Sequence, residues 1–241
     1  MKPLEVFVVD NNSSDRTAAI AKQYDFVTLL HESQQGIAFA RNAGFNAATG
    51  DVIGRIDADS RLKPGWVAYA LRYFESNPRH LTHLLTGGSY FYDLKMPRFF
   101  GWIQGQIAYR ANRFIMGYYI AWGSNMAFPA ELWRQVRNDV HNDTDIHEDM
   151  DLSIHLHDHG YTITYHTGWK VGVDTRLLSR HTRDQHMKYL KLWPRTFERH
   201  HLPRAWMGWV GVYLVYVSYL PLVFINWIGG LFLGRRPEQK S

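Results

Sequence analysis

The sequence contains no cysteine among its 241 residues, which excludes disulfide bonds and thiolate metal sites. That absence favours a reducing environment, such as the cytoplasmic side of a membrane. We also expect no signal peptide, since the first apolar run, residues 4–9, is too short and is followed by Asp10. No Walker, zinc-finger or RNA-binding signature is present, so nucleic acid is not expected as a partner.

The net charge of +5 is concentrated in one part of the chain. Residues 175–204 carry eight Arg or Lys and two acids, whereas the rest of the sequence is close to neutral. Such a concentration indicates a local anionic partner, for which anionic lipid headgroups or a lipid-linked phosphate acceptor are candidates. A hydrophobic content of 46% and a charged content of 20% are typical of a folded protein.

An apolar segment follows the basic one. Residues 206–233 contain no charged side chain, and a helix needs about 20 apolar residues to cross a bilayer. The segment has interfacial aromatics at Trp206, Trp209, Tyr213 and Trp227. Its proline at 221 and the glycine pair at 229–230 could break a helix. We therefore predict a transmembrane or membrane-associated segment at 205–234, with a buried or interfacial hairpin as the alternative. The remaining domains are 1–175 and a basic juxtamembrane segment at 176–204, with the first domain on the cytoplasmic face.

The first 175 residues alternate between strand and helix patterns. Apolar, β-rich runs at 4–9, 26–30 and 51–56 are separated by helical patterns at 13–23 and 37–48. This alternation predicts an α/β fold, with a mainly parallel sheet flanked by helices. Ligands bind beyond the carboxyl ends of strands in such sheets, and Asp10, Asp57 and Asp59 fall at those ends.

Asp57 and Asp59 form a D-x-D pattern at the end of the third strand. Two carboxylates on one turn can face a hard cation such as Mg²⁺ or Mn²⁺, which keeps positions open for substrate phosphates. An ordinary solvated acidic turn is the alternative.

Two further segments follow strands and open helices. Asp10, with Asn12 and Ser14 after it, could accept hydrogen bonds from a nucleoside, or could belong to an ordinary capped turn. Gly36 allows a close backbone approach, and Arg41 could meet phosphate charge, although a plain amphipathic helix would also fit this pattern.

A third acidic cluster contains Glu148, Asp149 and Asp151 at the start of a helix that Gly160 should end. Acids in a first helical turn are stabilised by the helix dipole, and a carboxylate there could also deprotonate an acceptor hydroxyl. The zinc-protease pattern H-E-x-x-H is not met, because Asp occupies position 151.

Thirteen histidines raise the question of a metal site. His155, His157 and His159 cannot all share one helix face, and we expect them to be surface residues. His181 or His186 could contact that cation or the phosphates of a substrate bound to it.

Five motifs occur in the order expected of family 2 glycosyltransferases, and together they resemble that family over residues 4–166. The matching runs are V-D-N-N-S-S-D-R-T at 9–17, G-x-x-x-A-R-N-x-G at 36–44, D-A-D at 57–59, G-S-N-M-A-F at 123–128 and E-D-M-D-L at 148–152. The resemblance implies a GT-A fold, an inverting transfer from a nucleotide sugar, and Mg²⁺ or Mn²⁺ as cofactor.

The resemblance also assigns roles to residues. Asp10 and Asp57 would contact the nucleoside, Asp59 would bind the metal, and Asp149 would be the general base. The further nucleotide-sugar residues would be Asn12, Ser14, Gly36, Arg41 and Asn42, and the acceptor side would hold Gly123, Ser124, Asn125, Glu148 and Asp151. Asp57 and His181 are additional metal candidates, and Arg180 or Arg183 could help the departing diphosphate.

Two departures from the family pattern refine this prediction. The Q-x-x-R-W signature of processive members is missing, which favours transfer of a single sugar to a glycan or lipid-linked acceptor. Members normally have a strand and helix before the first motif, which here begins at position 9. A catalytically inactive remnant that serves as a membrane-bound interaction protein is therefore the alternative. A D-x-D phosphatase is a poorer one, because Asp57 does not follow the first strand.

Overall fold

The computed structural model describes residues 1–92, 110, 112–173, 187–214 and 216–217. Its strands are β1 (Phe7–Asp10), β2 (Thr28–His31), β3 (Val52–Arg55), β4 (Arg61–Leu62), β5 (His83–Phe91), β6 (Met126–Pro129) and β7 (Thr162–Val173). Its helices are α1 (Thr17–Ala21), α2 (Ile37–Ala47), α3 (Trp66–Ser76), α4 (Ala130–Val136), α5 (Glu148–Asp158) and α6 (Leu192–Arg199). The strand and helix patterns predicted within residues 4–56 therefore each lie at an observed element, with ends that differ by a few residues.

The strands form two sheets. β1 and β2 pair in parallel, and the second sheet has the order β3-β6-β5-β7-β4. In this larger sheet β3, β5 and β7 run in one direction, whereas β6 and β4 run in the opposite one. The prediction of a mainly parallel sheet was wrong for this part of the chain. β6 lies between β3 and β5 and is antiparallel to both, an insertion that local sequence patterns do not reveal.

Helices cover both faces of the larger sheet. Neighbouring residues of a strand point to opposite faces, so two adjacent leucines of β5 pack under different helices. Leu84 belongs to the apolar cluster under α2 and α4, and Leu85 to the cluster under α3. In the first cluster, the rings of Phe45 and Phe128 meet edge to face at 5.2 Å. The predicted α/β architecture, a sheet flanked by helices, is confirmed.

The end of β3 and the start of α5 decide where the acidic motifs lie. β3 ends at Arg55, so the D-x-D follows immediately in a loop at the carboxyl end of that strand. Helix α5 begins at Glu148 and ends before Gly160, whose φ of 81° terminates it as predicted. The first turn of α5 and the D-x-D loop meet at one edge of the sheet.

The structure gives no support to the membrane part of the predicted fold. Among the residues that it describes, no helix has the length and hydropathy to cross a membrane. Residues 205–214 are helical, but 218–234, most of the predicted segment, lie outside the described residues.

Candidate active site

A cleft of about 610 Å³ opens between the D-x-D loop and the start of α5. Its described lining residues are Ile37, Arg55, Asp57, Ala58, Asp59, Glu148, Asp149 and Tyr189. Four of them are carboxylates and one is a guanidinium, so the described lining has an excess of negative charge. The structure therefore brings together two motifs that are about ninety residues apart in the sequence.

Arg55, the last residue of β3, lies at the centre of these carboxylates. Its Nη1 contacts Asp149 Oδ1 at 2.5 Å, and its Nη2 contacts Glu148 Oε1 at 3.3 Å. Asp57 Oδ1 lies 3.9 Å from the same Nη2. Burial acts to lower the pKa of Arg55, but the neighbouring carboxylates outweigh burial and raise that pKa. Arg55 is thus held as a cation beneath the cleft.

Asp149 is the buried carboxylate that two separate donors orient. Its Oδ1 accepts from Arg55, and its Oδ2 accepts from the backbone N–H of Gly123 at 2.7 Å. Burial raises the pKa of Asp149, although the charge of Arg55 acts against it. A carboxylate with a raised pKa is a stronger base than an ordinary aspartate, so Asp149 suits proton abstraction.

Glu148, its neighbour, has a different environment. Tyr189 Oη donates to the Glu148 carboxylate at 3.0 Å, and Arg55 approaches it from another side. Burial would raise the pKa of Glu148, but the charges of His147 and Arg55 outweigh it and lower that pKa. Two adjacent acids therefore differ in basicity, and Asp149 is the better base of the pair.

Asp57 and Asp59 form the open side of the cleft. The Asp57 side chain is 48% exposed, and desolvation within the cleft, reinforced by Asp149, raises its pKa to about 6 despite the charge of Arg55. A bound divalent cation would offset this crowding of negative charge, and oxygen ligands are those that Mg²⁺ and Mn²⁺ prefer. The two carboxylates thus fit the predicted cation.

The first motif lies at the carboxyl end of β1. Asp10 Oδ1 accepts from the backbone N–H of Ser13 at 3.1 Å, and the Asp10 carboxylate lies 3.6 Å from His31. Asn12 adopts a positive φ of 60°, and its amide donates to the Ser33 carbonyl at 2.8 Å. Ser14 is exposed in the same loop. The nucleoside roles of Asp10, Asn12 and Ser14 stay predictions.

Asn11 joins that loop to the start of α2. Its Nδ2 donates to the carbonyls of Glu32 and Gln34, and its Oδ1 accepts from the Gly36 N–H at 2.7 Å. Gly36 precedes α2 with a φ of 150°. The sequence prediction identified Gly36 but not Asn11. The sequence alone does not show which of the two neighbouring residues, Asn11 or Asn12, makes these contacts.

Arg41 is buried instead of facing the cleft. Its Nη1 donates to the carbonyl of Glu148 at 2.6 Å, and its Nε donates to Asn42 Oδ1 at 2.9 Å. Asn42 in turn donates to the Asn142 side chain at 2.6 Å. Both residues thereby connect α2 to the region that begins α5, and the nucleotide-sugar contacts predicted for them stay untested.

Three predicted acceptor-side residues differ in position. The backbone N–H of Gly123 donates directly to Asp149, and Ser124 is partly buried beside it. Asn125 is fully buried, where its Nδ2 donates to the Trp169 carbonyl and its Oδ1 accepts from Trp66. It therefore links β7 to α3.

Asp151 points away from the cleft, toward three histidines. Among the described residues, one group has the composition and proximity to hold a metal ion: His141, Asp151, His155 and His200. His157 and His159 are exposed, as predicted, but His155 is partly buried in this group, so the surface prediction was wrong for it. His181, His186, Arg180 and Arg183 lie outside the described residues.

Sequence reasoning missed Arg55 and Tyr189. Arg55 directly precedes the D-x-D, so its position was visible, but its partners come from α5 and could not be read locally. Tyr189 lies far along the chain, at a place where no motif marks it.

Comparison with known proteins agrees with this geometry. The sequence profile described as "Glycosyl transferase family 2" matches residues 1–134. A glucosyl-dolichyl phosphate glucuronosyltransferase of Haloferax volcanii is 29% identical over 145 residues, 56% of this chain and 45% of that protein. An uncharacterized glycosyltransferase of Escherichia coli, YibD, is 37% identical over 65 residues, 25% of this chain and 19% of that protein. The chain thus matches less than half the length of these relatives.

Solved structures show the same fold. A mannosyltransferase of Pyrobaculum calidifontis, in complex with GDP-Man and Mn²⁺, has a TM-score of 0.60 at 19% identity. That match covers 97% of this chain and 67% of the other. Glucosyl-3-phosphoglycerate synthase of Mycobacterium tuberculosis, with Mn²⁺, UDP-Glc and phosphoglyceric acid, has a TM-score of 0.59 at 14% identity, covering 83% of this chain and 70% of the other. The GT-A fold is therefore confirmed.

Proposed function

The chain belongs to glycosyl transferase family 2, and from this we propose that it transfers a single sugar from a nucleoside-diphosphate sugar to a hydroxyl, with inversion at the anomeric carbon. The observation that carries the proposal is the environment of Asp149. This buried carboxylate is oriented by Arg55 and Gly123 and lies in the cleft that Asp57 and Asp59 also line. A base and a cation-binding pair in one cleft are the groups that a single displacement requires.

In the proposed reaction Asp149 accepts the proton of the acceptor hydroxyl. The acceptor oxygen forms a bond to the anomeric carbon as the bond from that carbon to the phosphate oxygen breaks, and the nucleoside diphosphate leaves. Among the described residues, each Asp149 oxygen accepts one hydrogen bond, and its second lone pair can accept from the hydroxyl of the acceptor. Arg55 is a positioning residue, since it fixes the base through its ion pair.

Asp57 and Asp59 would hold a divalent cation, Mg²⁺ or Mn²⁺. Such an ion, when bound, neutralises charge on the diphosphate and makes it a better leaving group. The carboxylates of this chain contribute the oxygen ligands and an acidic cleft. His181 is a further candidate ligand from the sequence, outside the described residues.

The donor is proposed to bind between the β1 loop and the D-x-D loop. At the carboxyl end of β1, the Asp10 carboxylate can accept hydrogen bonds from the donor. The backbone at Gly36, which Asn11 fixes through a hydrogen bond, lies beside it. Two fold relatives contain GDP-Man or UDP-Glc, which makes a nucleotide sugar the class of donor to test.

The acceptor is proposed to be a glycan or lipid-linked hydroxyl at a membrane surface on the cytoplasmic side. The helical residues 205–214 and their continuation expose a series of apolar side chains: Trp206, Trp209, Val210, Tyr213, Leu214, Tyr216 and Val217. Trp206 is 64% exposed and Tyr213 is 65% exposed, and the uncharged run continues to residue 233. Aromatic side chains of this kind favour the bilayer interface, and the basic residues before them favour anionic headgroups.

The function is tested by incubating the detergent-purified chain with a panel of nucleotide sugars and either Mn²⁺ or Mg²⁺. We expect cation-dependent release of one nucleoside diphosphate, which Asp59→Asn abolishes and Asp139→Asn leaves unchanged. Asp139 is a matched control because its carboxylate is exposed and pairs with His159, away from the cleft. If folded protein released no diphosphate from any donor, the inactive remnant would replace the enzyme as our conclusion.

A further inference from the structure

Four side chains with metal-binding atoms converge behind the cleft, on the opposite side of helix α5 from the base. Asp151 and His155 come from α5, His141 comes from the loop after α4, and His200 directly follows the last residue of α6. Their ligand atoms all lie within 4.8 Å of one another. Three separate parts of the chain thus contribute to one small cluster.

The spacing of these atoms is close to that of a four-coordinate ion. Zinc bonds to nitrogen and oxygen are about 2.0–2.1 Å long, so ligand atoms at the corners of a tetrahedron lie about 3.3 Å apart. His141 Nδ1 and His155 Nε2 are 3.4 Å apart, and His155 Nε2 and Asp151 Oδ1 are 3.5 Å apart. The contacts of Asp151 Oδ1 with His141 and His200, at 2.7 and 2.8 Å, are of hydrogen-bond length. An ion would require these two to lengthen by about half an ångström.

The carboxylate is prepared for a ligand role. Asp151 is fully buried, and its Oδ2 accepts from the backbone N–H of His141 at 2.8 Å, which leaves Oδ1 directed at the three rings. Oδ1 is therefore the carboxylate oxygen that would bind an ion held among the rings.

Ring nitrogens that face one another are poorly explained by hydrogen bonds alone. Three imidazoles direct a nitrogen at the same oxygen, and two of those nitrogens also face each other at 3.4 Å. A cation among them would accept lone pairs from all four atoms at once. The His141 side chain is 30% exposed, so solvent can reach the cluster.

We propose that His141, Asp151, His155 and His200 form a structural Zn²⁺ site, separate from the D-x-D cation. Imidazole and carboxylate ligands suit zinc, and four protein ligands close its coordination, which is the arrangement of structural sites. The ion would tie the loop at residue 141 and the end of α6 to the helix whose first turn contains Asp149. This proposal does not depend on the proposed sugar transfer.

The test is zinc binding by the full chain after metal removal with a chelator, measured by competition with a chromophoric chelator. We expect one Zn²⁺ per chain in addition to any weak binding at the D-x-D, and the same result for Asp59→Asn. His141→Gln should weaken the affinity by about 100-fold or more, since loss of a ligand exceeds the 10–100-fold effect of outer-shell changes. His159→Gln, on the exposed end of the same helix, is the matched control.

A second readout keeps the proposal falsifiable if His141→Gln is poorly folded. Co²⁺ substituted into the wild-type chain should give the intense visible absorption of a tetrahedral site, and Zn²⁺ should abolish it. Zinc should also raise the Tm of the wild type and of His159→Gln, because an ion that binds only the folded state stabilises it. Absence of stoichiometric zinc binding, or zinc binding that His141→Gln leaves unchanged in folded protein, would overturn the proposal and leave a hydrogen-bonded ion cluster.

Discussion

The guanidinium of Arg55 contacts the carboxylate of Asp149 at 2.5 Å, although the two lie 94 positions apart in the sequence. This contact joins the strand that leads into the D-x-D with the helix that begins at the acidic motif. It orients one oxygen of the proposed base, while the backbone of Gly123 orients the other. The mutual position of the proposed base and the proposed cation ligands therefore depends on this pair.

Replacing Arg55 by Met should destabilise the fold and change the pH profile. Loss of one partner leaves two carboxylates buried without their cation, which costs about 3–5 kcal/mol. Because Arg55 acts to lower the pKa of Asp149, its removal should move the acid limb of kcat/KM to higher pH. Chemical denaturation and a pH–rate profile measure both effects.

The control for that experiment is Arg55→Lys, which keeps the positive charge but loses the two-armed contact. It should retain most of the stability and shift the acid limb less. An acid limb that stays in place in folded Arg55→Met would contradict the assignment of Asp149 as the titrating base.

Gly123 should not tolerate even a methyl group. A Cβ built there would lie 2.6 Å from both Arg55 Cζ and Asp149 Oδ2. Gly123→Ala should therefore displace the base and lower kcat by about 100-fold, since a misplacement of 1 Å has an effect of that size. Donor binding, measured by calorimetry, should change little.

Gly168→Ala is the matched control for that change, because its Cβ would meet only the Tyr69 hydroxyl at an ordinary 3.9 Å. Equal losses of activity in the two variants would indicate a general effect on folding and not an effect on the base.

His83 should make stability depend on pH. Burial, and then the charge of His80, lower the pKa of His83 below its usual 6.5. The unfolded chain therefore binds this proton first as the pH falls, so the contribution is intact above about 6.5 and is lost below it. Tm measured from pH 7.5 to pH 5 should fall less in His83→Gln than in the wild type. A wild-type decline that the variant reproduces fully would exclude His83 as its source.

Membrane binding should depend on the exposed aromatics after α6. Trp206→Ser combined with Tyr213→Ser should reduce cosedimentation with vesicles that contain anionic lipid by about 10-fold, given the apolar area removed. Phe26→Ser is a control, because Phe26 is equally exposed but lies in the N-terminal half. Equal effects of the two changes would contradict a specific lipid-facing surface.

Much of this architecture followed from local patterns. The position of Asp57 and Asp59 after a strand, and the start of α5 at Glu148, depend on chain segments that carry their own strand or helix signals. The direction of β6 could not be predicted from local patterns, because it depends on which strands β6 pairs with in the folded sheet.

Site residues could be predicted where they belong to a local sequence motif. They could not be predicted where they come from distant segments that only the tertiary fold brings together. Asp149 belongs to an acidic pattern. Tyr189, in contrast, is one tyrosine among fourteen, and only the tertiary fold brings it to the cleft. His155 was misjudged for the same reason. Helical spacing correctly separated it from His157, but its partners His141 and His200 come from other segments.

Inversion with Asp149 as the base is tested most directly by the stereochemistry of the sugar released at the start of donor turnover. Proton NMR identifies the released anomer before mutarotation mixes the two forms. With an α-linked donor, the wild type should release the β anomer, and Asp149→Asn should lower the rate by about 10²–10⁴-fold, the usual contribution of a general base. Glu148→Gln should have a smaller effect, because the pKa of Glu148 is lowered. Release of the α anomer, or an Asp149→Asn variant as active as the wild type, would contradict inversion with Asp149 as the base.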